Sequence, residues 1–332
     1  MSRKWIFVCF GLFICSLCRA EQPPCTTQIP VSVVLPDGAL VRNLNSTQIV
    51  AKSKGNTLPI GGLTTDKEPR HIVIVVETGA RVPAAARTIE SEILSEVVAH
   101  SRPDDRFALL TARGPAVEIQ FGESRELLRV AIMELSAKPP GTARSLGLLD
   151  ALEEAVSWLQ PHQHGDAIVV LTMGIEDDRS RAKYSKVRDA VAEDGIRLFG
   201  FQLGSVIGGY VHNELSPLPD GPGMIPSASL VANEEGLDSL SRESGGFLFV
   251  EDTINPMQPY KLTDERLRLL RSRGRQLYKA VIEYYQVTTT FQEKDFSIDL
   301  SDAVRAKLPS AMLAYPRKSP ACIPVNHPML TQ

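Results

Sequence analysis

The sequence has few of the residues that mark several specialised classes of protein. Its 332 residues include only five cysteines and 6% aromatic residues, and the formal net charge is -3. So few cysteines argue against a disulfide-dense scaffold, and the charge does not indicate a basic surface that binds nucleic acid. With 43% hydrophobic and 23% charged residues, the composition is typical of an ordinary globular chain.

Common catalytic motifs are also missing. The sequence contains no Gly-x-Ser-x-Gly, no His-Glu-x-x-His and no P-loop. His162 and His164, with Asp166 beside them, could begin a zinc site, but no third histidine or cysteine has a suitable spacing. A polar surface loop is the favoured interpretation. The sequence therefore favours a non-enzymatic protein without a cofactor over a hydrolase.

The first twenty residues have the pattern of a secretory signal. Two basic residues precede an uncharged apolar run of about 14 residues, from Trp5 to Cys18, and Cys18 and Ala20 place small residues before a cleavage point. The run is shorter than the roughly 20 residues of a membrane-spanning helix, although an uncleaved anchor stays open as the alternative. No later stretch is apolar enough to span a membrane. We therefore expect a secreted or periplasmic protein with no membrane span after cleavage.

Removal of the signal leaves two cysteines, Cys25 and Cys322, one near each end of the chain. In an oxidising compartment such a pair is expected to form a disulfide bond, and two free thiols are the alternative. The bond would close nearly the whole chain, which in the loop-entropy model stabilises the fold by on the order of 5 kcal/mol. It also predicts that the two termini lie side by side.

Strands and helices alternate through the middle of the chain. Nearly continuous apolar runs at 71–76 (HIVIVV) and 167–172 (AIVVLT) suit strands buried on both faces of a parallel sheet. Residues 83–100 and 146–159 have apolar residues at helical spacing. The alternation predicts an α/β fold with a doubly wound, mostly parallel sheet. The flanking segments are rich in β-branched residues and are expected to pair into a small β-sandwich-like unit.

These patterns divide the chain into four parts. The predicted parts are a signal peptide at 1–20, an N-terminal β segment at 21–65, an α/β domain at 66–255, and a linking helix with a C-terminal β segment at 256–332. In the last part we predict a strand over 280–291 (AVIEYYQVTTTF). Residues 205–234, with four prolines and several glycines, form an insertion loop in the α/β domain.

The order of these elements resembles the von Willebrand factor type A (VWA) domain. The matching segments are HIVIVVETGAR, KPPGTARSLGLLDAL, AIVVLTMGIEDD, GIRLFGFQLG and LSRESGGFLFV. With the flanks VVLPDGALVRNL and EYYQVTTTF, the chain resembles a group of secreted acidobacterial VWA-related proteins over roughly residues 31–315. The resemblance implies a bacterial source, a six-stranded doubly wound fold and a protein-binding function.

Members of this family often hold a divalent cation, bound by Asp-x-Ser-x-Ser, a distant Thr and a distant Asp. In this sequence Glu77 stands at the first Asp. Gly79 and Arg81 stand at the two serines, Met173 stands at the distant Asp, and only Thr142 matches. A thioether is a poor ligand for a hard cation, and Arg81 could pair with Glu77 without a metal. The resemblance therefore implies a degenerate metal-ion-dependent adhesion site.

The face of the sheet at the carboxyl ends of its strands, where this fold binds ligands, is called the ligand face here. Two further features of it leave alternatives open. In a metal-dependent alternative, Glu77 and Thr142 bind Mg²⁺ or Ca²⁺ together with Asp177 or Asp178, and the protein has an adhesion or matrix-binding role. The 205–234 loop follows a predicted strand at 196–203, so in this fold it lies on the ligand face. Within it, Met224 and Ile225 are candidate contacts for an unknown protein partner, and a surface loop without a binding role is the alternative. The sequence as a whole favours a secreted protein–protein interaction module.

Overall fold

The structure is a computed structural model that describes residues 25–35, 39–65, 68–79, 82, 84–112, 117–137, 146–163, 165–172, 180–203, 228–251, 263–290, 295–317 and 323–324. The strands are β1 (Cys25–Val34), β2 (Ile49–Ser53), β3 (Asn56–Leu58), β4 (Ile60–Thr65), β5 (His71–Glu77), β6 (Arg106–Ala112), β7 (Glu118–Ile119), β8 (Ala167–Thr172), β9 (Arg197–Leu203), β10 (Leu248–Glu251), β11 (Tyr285–Thr289), β12 (Ser297–Leu300), β13 (Met312–Ala314) and β14 (Ile323–Pro324). The helices are α1 (Ala84–Ala99), α2 (Arg125–Ala137), α3 (Leu148–Trp158), α4 (Tyr184–Glu193), α5 (Ala228–Glu243), α6 (Asp264–Ile282) and α7 (Asp302–Arg305).

The centre of the α/β unit is a sheet with the strand order β10-β9-β8-β5-β6-β7. Neighbouring strands run parallel, except that β7 is antiparallel to β6. Every residue of β8 and β9 is buried, as expected for strands whose two faces are both covered by helices. The predicted α/β class with a mostly parallel sheet is therefore confirmed.

Helices cover both faces of this sheet. Alternate residues of β5 point to opposite sides, so Ile72 and Ile74 pack with α1, α2 and α6, whereas Val73 and Val75 pack with α3, α4 and α5. On the first face, α1 contacts both α2 and α6 and so lies between them. Among the helices of the described ranges, none combines the length and the apolar character that crossing a bilayer requires.

Strand β5 lies beside the point where the direction of the chain through the sheet reverses. From β5 the chain moves to β6 on one side and later returns to β8 on the other side of β5. The crevice outside the carboxyl ends of two such strands is where open α/β sheets bind ligands. The carboxyl ends of β5 and β8 are therefore the first place to look for a functional site.

Two antiparallel sheets form a second unit, which we call the β unit. One has the order β13-β1-β11-β4, with β14 also paired to β1, and the other has the order β12-β2-β3. Their inward apolar side chains share one cluster, which includes Ile29, Val31, Val287 and Ile298. Strands from both ends of the chain contribute to it.

The start of β1 is paired with β14, so the backbone of Cys25 lies opposite that of Pro324. Cys322 lies outside the described residues. The pairing brings the two ends of the described chain side by side, and the disulfide bond stays a prediction.

Two element boundaries differ from the predicted ones. Helix α6 continues to Ile282, where the sequence predicts a strand from residue 280, because Leu270, Leu277 and Val281 continue one buried helical face. Helix α5 begins at Ala228, so the last residues of the predicted 205–234 insertion belong to this helix.

Arg197, the first residue of β9, contacts the segment that leads from α6 into β11. Its guanidinium carbon lies 3.7 Å from the centroid of the Tyr284 ring, and its Nη2 donates a hydrogen bond to the carbonyl oxygen of Val281. Both side chains are buried, and a desolvated cation–π contact is worth about 2 kcal/mol. Because Val34 and Ala314 of the β unit also join the apolar cluster of α1 and α6, the two units share a core.

Candidate functional site

Only part of the predicted ligand face falls within the described residues. Glu77 and Gly79 are both described and buried. The other predicted positions lie outside the described residues: Arg81, Thr142, Met173, Asp177, Asp178, Met224 and Ile225. The structure therefore shows the floor of this face, at the ends of β5 and β8.

Glu77 is the last residue of β5, and only 1% of it is exposed. The neighbouring strand β8 ends at Thr172, which is fully buried, and its hydroxyl donates a hydrogen bond to Glu77 Oε2 at 2.5 Å. The contact follows from the parallel register, in which Val76 pairs with Leu171 one position before. Hydrogen bonds to an ionised carboxylate are about twice as strong as neutral ones, so Thr172 holds the Glu77 side chain inside the protein.

Helix α1 contributes two more ionisable side chains to this region, Arg87 and Glu90. Glu90 is fully buried, and 7% of Arg87 is exposed. Arg87 Nη1 donates to the carbonyl oxygen of Val82 at 2.7 Å, which fixes the loop that follows β5 to the helix. Burial raises the pKa of the Glu90 carboxyl well above its usual range, and the nearby Glu77 carboxylate raises it further, while Arg87 lowers it.

Burial decides the charge of Glu90. It favours the protonated form of this carboxyl, which lies near the guanidinium of Arg87. Neither Oε atom of Glu90 has a hydrogen-bond partner among the described residues. Burying a carboxyl without a partner costs less free energy in its neutral form than in its charged form. We name Glu77, Arg87, Glu90 and Thr172 the floor cluster.

No protein-family model matches the chain, and no curated protein matches it. Similar solved structures include an aerotolerance-related membrane protein from Bacteroides fragilis, at 14% identity and a TM-score of 0.42, covering 64% of this chain and 98% of that one. Proximal thread matrix protein 1 from the mussel byssus is 14% identical, with a TM-score of 0.43, covering 75% and 50%. A von Willebrand factor type A protein from Catenulispora acidiphila is 10% identical, with a TM-score of 0.41, covering 76% and 50%.

The topology decides the fold of the α/β unit. The first strand lies in the middle of a six-stranded sheet, one edge strand is antiparallel, and the described helices cover both faces. This is the arrangement that the sequence resemblance implies. The α/β unit is a VWA-like domain.

Of the positions that bind the cation in this fold, only Glu77 and Gly79 fall within the described residues of the VWA-like domain. Such a site needs several oxygen ligands that face one point. Here Glu77 Oε2 accepts a hydrogen bond from Thr172, Gly79 has no side-chain ligand atom, and the positive charge of Arg87 lies close to the Glu90 carboxyl. Within the described ranges, no group of three or more His, Cys, Asp or Glu side chains is placed to hold a metal.

Sequence reasoning missed Arg87 and Glu90, although a signal for Glu90 exists. Ala86, Glu90 and Leu94 follow one another at i, i+4 spacing in α1, so a carboxyl stands in the middle of an apolar stripe. A charged residue at such a position is either paired or protonated. The sequence pattern alone cannot tell that Glu77 lies across from it.

Asp150, near the start of α3, anchors the segment that begins at Ser180. Asp150 Oδ1 accepts hydrogen bonds from the backbone N–H groups of Arg181 and Ala182 at 2.9 and 2.7 Å. Ser180 Oγ accepts one from the N–H of Leu149 at 3.2 Å. Two segments that border the ligand face are thus fixed to each other by hydrogen bonds.

The His162 loop lies at the opposite edge of the sheet, before β8. His162 Nε2 is 2.9 Å from Asp194 Oδ1, and His71 Nδ1 is 3.3 Å from Asp166 Oδ1. His164 lies outside the described residues. The two histidines each face a different aspartate, so the described part of this loop has no shared metal position.

Proposed function

We propose that the protein is a secreted, non-enzymatic protein-interaction module of the VWA type that recognises its partner without a bound cation. The observation that carries this proposal is the hydrogen bond from Thr172 to Glu77, in a position that is 1% exposed. A carboxylate that serves an adhesion cation offers its oxygens to the metal on the ligand face, and Thr172 already binds one of the two oxygens of Glu77. Glu77 instead takes part in the internal floor cluster.

Partner recognition then depends on the shape and charge of the surface around this edge. The parallel strands β5, β8 and β9 all end at this edge, next to the switch point. Arg87 supplies a fixed positive charge near the end of β5 and donates a hydrogen bond to the carbonyl oxygen of Val82. In the proposed function, interior side chains such as Arg87 take over a positioning task that a cation would otherwise share.

Thermal melts of the processed, oxidised protein test the absence of a cation. We expect equal melting temperatures in EDTA and in millimolar Mg²⁺, Ca²⁺ or Mn²⁺, because an ion stabilises a fold only if it binds the folded state. A rise of several degrees that is lost in both Glu77→Gln and Thr142→Ala would overturn the proposal. That result would establish the metal-dependent adhesion function instead.

Secretion is tested separately, by expression of the full chain in a bacterial host and sequencing of the exported protein. We expect an N-terminus at Glu21, after removal of residues 1–20. A protein that keeps Met1 and stays in the membrane fraction would contradict secretion and would leave the cation result unaffected.

A further inference from the structure

Helix α2 exposes an apolar stripe on the side that faces away from the sheet. Leu127, Val130 and Met133 are 43%, 38% and 55% exposed and lie three residues apart. Side chains at this spacing are neighbours along a helix, so they form one continuous patch. The opposite side of α2 is buried through Leu128 and Leu135.

Acidic side chains border this stripe. Glu126, whose side chain is 76% exposed, and the exposed Glu134 lie on the same outer side of α2. Beyond Arg125 at its first position, α2 has one basic residue on this outer side, Arg129. Its Nη1 lies 4.0 Å from Oε2 of Glu126. A surface that covers the stripe must therefore combine apolar side chains with mainly basic ones.

The outer side of α6 has this composition. Leu269 is 42% exposed. The exposed bases of this helix, Arg268, Arg271 and Lys279, outnumber its exposed acids, Asp264 and Glu265, which both lie in the first turn. Helix α6 is thus the counterpart of α2 in both apolar character and charge. The chain carries the two complementary surfaces itself.

The positions of these helices allow a closed pair. Since α1 contacts both α2 and α6 on one face of the sheet, the three helices form a layer with α1 in the middle. A twofold axis along α1 in the plane of contact places α2 of one copy on α6 of the other copy, and does so twice. The outer side of α1 has the exposed alanines Ala84 and Ala99 at its two ends. Between them lie the half-buried Glu92 and Glu96, whose charges are already paired with Arg271 and Arg275 of α6.

We propose that the α2–α1–α6 layer is a docking surface for a second copy of this chain, in a symmetric dimer. The contact is isologous, because the same layer serves both partners, and it closes without leaving a free surface for a third copy. This inference concerns the helical face of the sheet and is independent of the cation question at the ligand face.

Sedimentation equilibrium of the processed full chain over a micromolar to high-micromolar series tests the proposal. We expect a monomer–dimer equilibrium that approaches twice the chain mass at the highest concentration. Val130→Glu with Met133→Glu should weaken the dimer at least about tenfold, since both side chains lose their apolar contact. Met312→Glu, at a 39% exposed position of β13, is the matched control and should leave the equilibrium unchanged.

Charge reversal tests which helices meet. Glu126→Lys with Glu134→Lys should produce a monomer, and so should Arg268→Glu with Lys279→Glu. An equimolar mixture of these two variants should form a heterodimer, because each variant supplies the partner charges that the other requires. A wild-type monomer at every concentration, a dimer that survives the α6 reversal, or a mixture that stays monomeric would each overturn the proposal.

Discussion

At the scale of single residues, the environment of Glu90 decides how the stability of the fold depends on pH. Burial and the Glu77 carboxylate raise the pKa of Glu90, with Arg87 acting in the opposite sense. A raised folded-state pKa stabilises the fold fully below the unfolded-state pKa, which is about 4.3 for Glu. This contribution is lost as the pH rises through the folded-state pKa. We therefore expect Glu90→Gln, which stays neutral, to become progressively more stable than the wild type as the pH rises above about 4.5.

Urea unfolding of both proteins between acid and neutral pH measures this difference. A tenfold change in proton affinity corresponds to about 1.4 kcal/mol in the free energy of unfolding. Glu126→Gln is the control, because the Glu126 side chain is 76% exposed and lies outside the floor cluster. Parallel curves for the wild type and Glu90→Gln would show that folding does not raise the pKa of Glu90.

At the scale of elements, Gly274 sets the distance between α1 and α6. A Cβ at this position would lie 2.6 Å from the carbonyl oxygen of Ile93 and 2.7 Å from Cβ of Glu96. Helix propensity alone favours alanine over glycine by about 1 kcal/mol, but backbone atoms cannot move aside as a flexible side chain can. We expect Gly274→Ala to destabilise the protein by about 1–3 kcal/mol, as overpacking does.

This loss of stability is measured as a lower midpoint of urea unfolding with an unchanged slope. Ser272→Ala, on the outer side of the same helix, is the control and should be neutral or slightly stabilising. A Gly274→Ala variant that is more stable than the wild type would mean that the helices can separate at no cost.

The sequence predicts the elements of the sheet better than the packing between them. The runs at 71–76 and 167–172 are almost entirely apolar. A run of this kind is stable mainly as a parallel strand that is covered on both faces. The end of α6 is harder, because Val281 and Ile282 are β-branched and lead directly into the β-rich Tyr284 and Tyr285. Whether such residues extend the helix depends on the surface that packs against them. The local sequence pattern carries no information about that surface.

The candidate site is predictable only in part, for a similar reason. The position of Glu77 follows from the end of a recognisable strand. Its neighbour Thr172 is placed beside it by the register between β5 and β8. Arg87 and Glu90 come from helix α1, which packs on the sheet. Their chemistry depends on burial, which raises the pKa of Glu90, and burial is a property of the assembled fold.

At the scale of the whole molecule, the β unit connects the two ends of the chain. Strand β1 pairs with β11, β13 and β14, all from the C-terminal segment. The β unit also shares a core with the VWA-like domain through Val34 and Ala314. Loss of the pairing between β1 and the C-terminal strands would therefore loosen the β unit. It would also loosen the core that the β unit shares with the VWA-like domain.

A disulfide bond between Cys25 and Cys322 would secure that edge. The backbone of Cys25 lies opposite Pro324 in the β1–β14 ladder, and these two cysteines are the only ones after residue 20. We expect unreduced peptide mapping to find them linked, and reduction to lower the free energy of unfolding by up to on the order of 5 kcal/mol. Cys25→Ser with Cys322→Ser should match the reduced wild type and should not respond to reductant. Two titratable thiols in the unreduced, folded protein would contradict the bond. In that case, the backbone ladder alone would hold the two termini together.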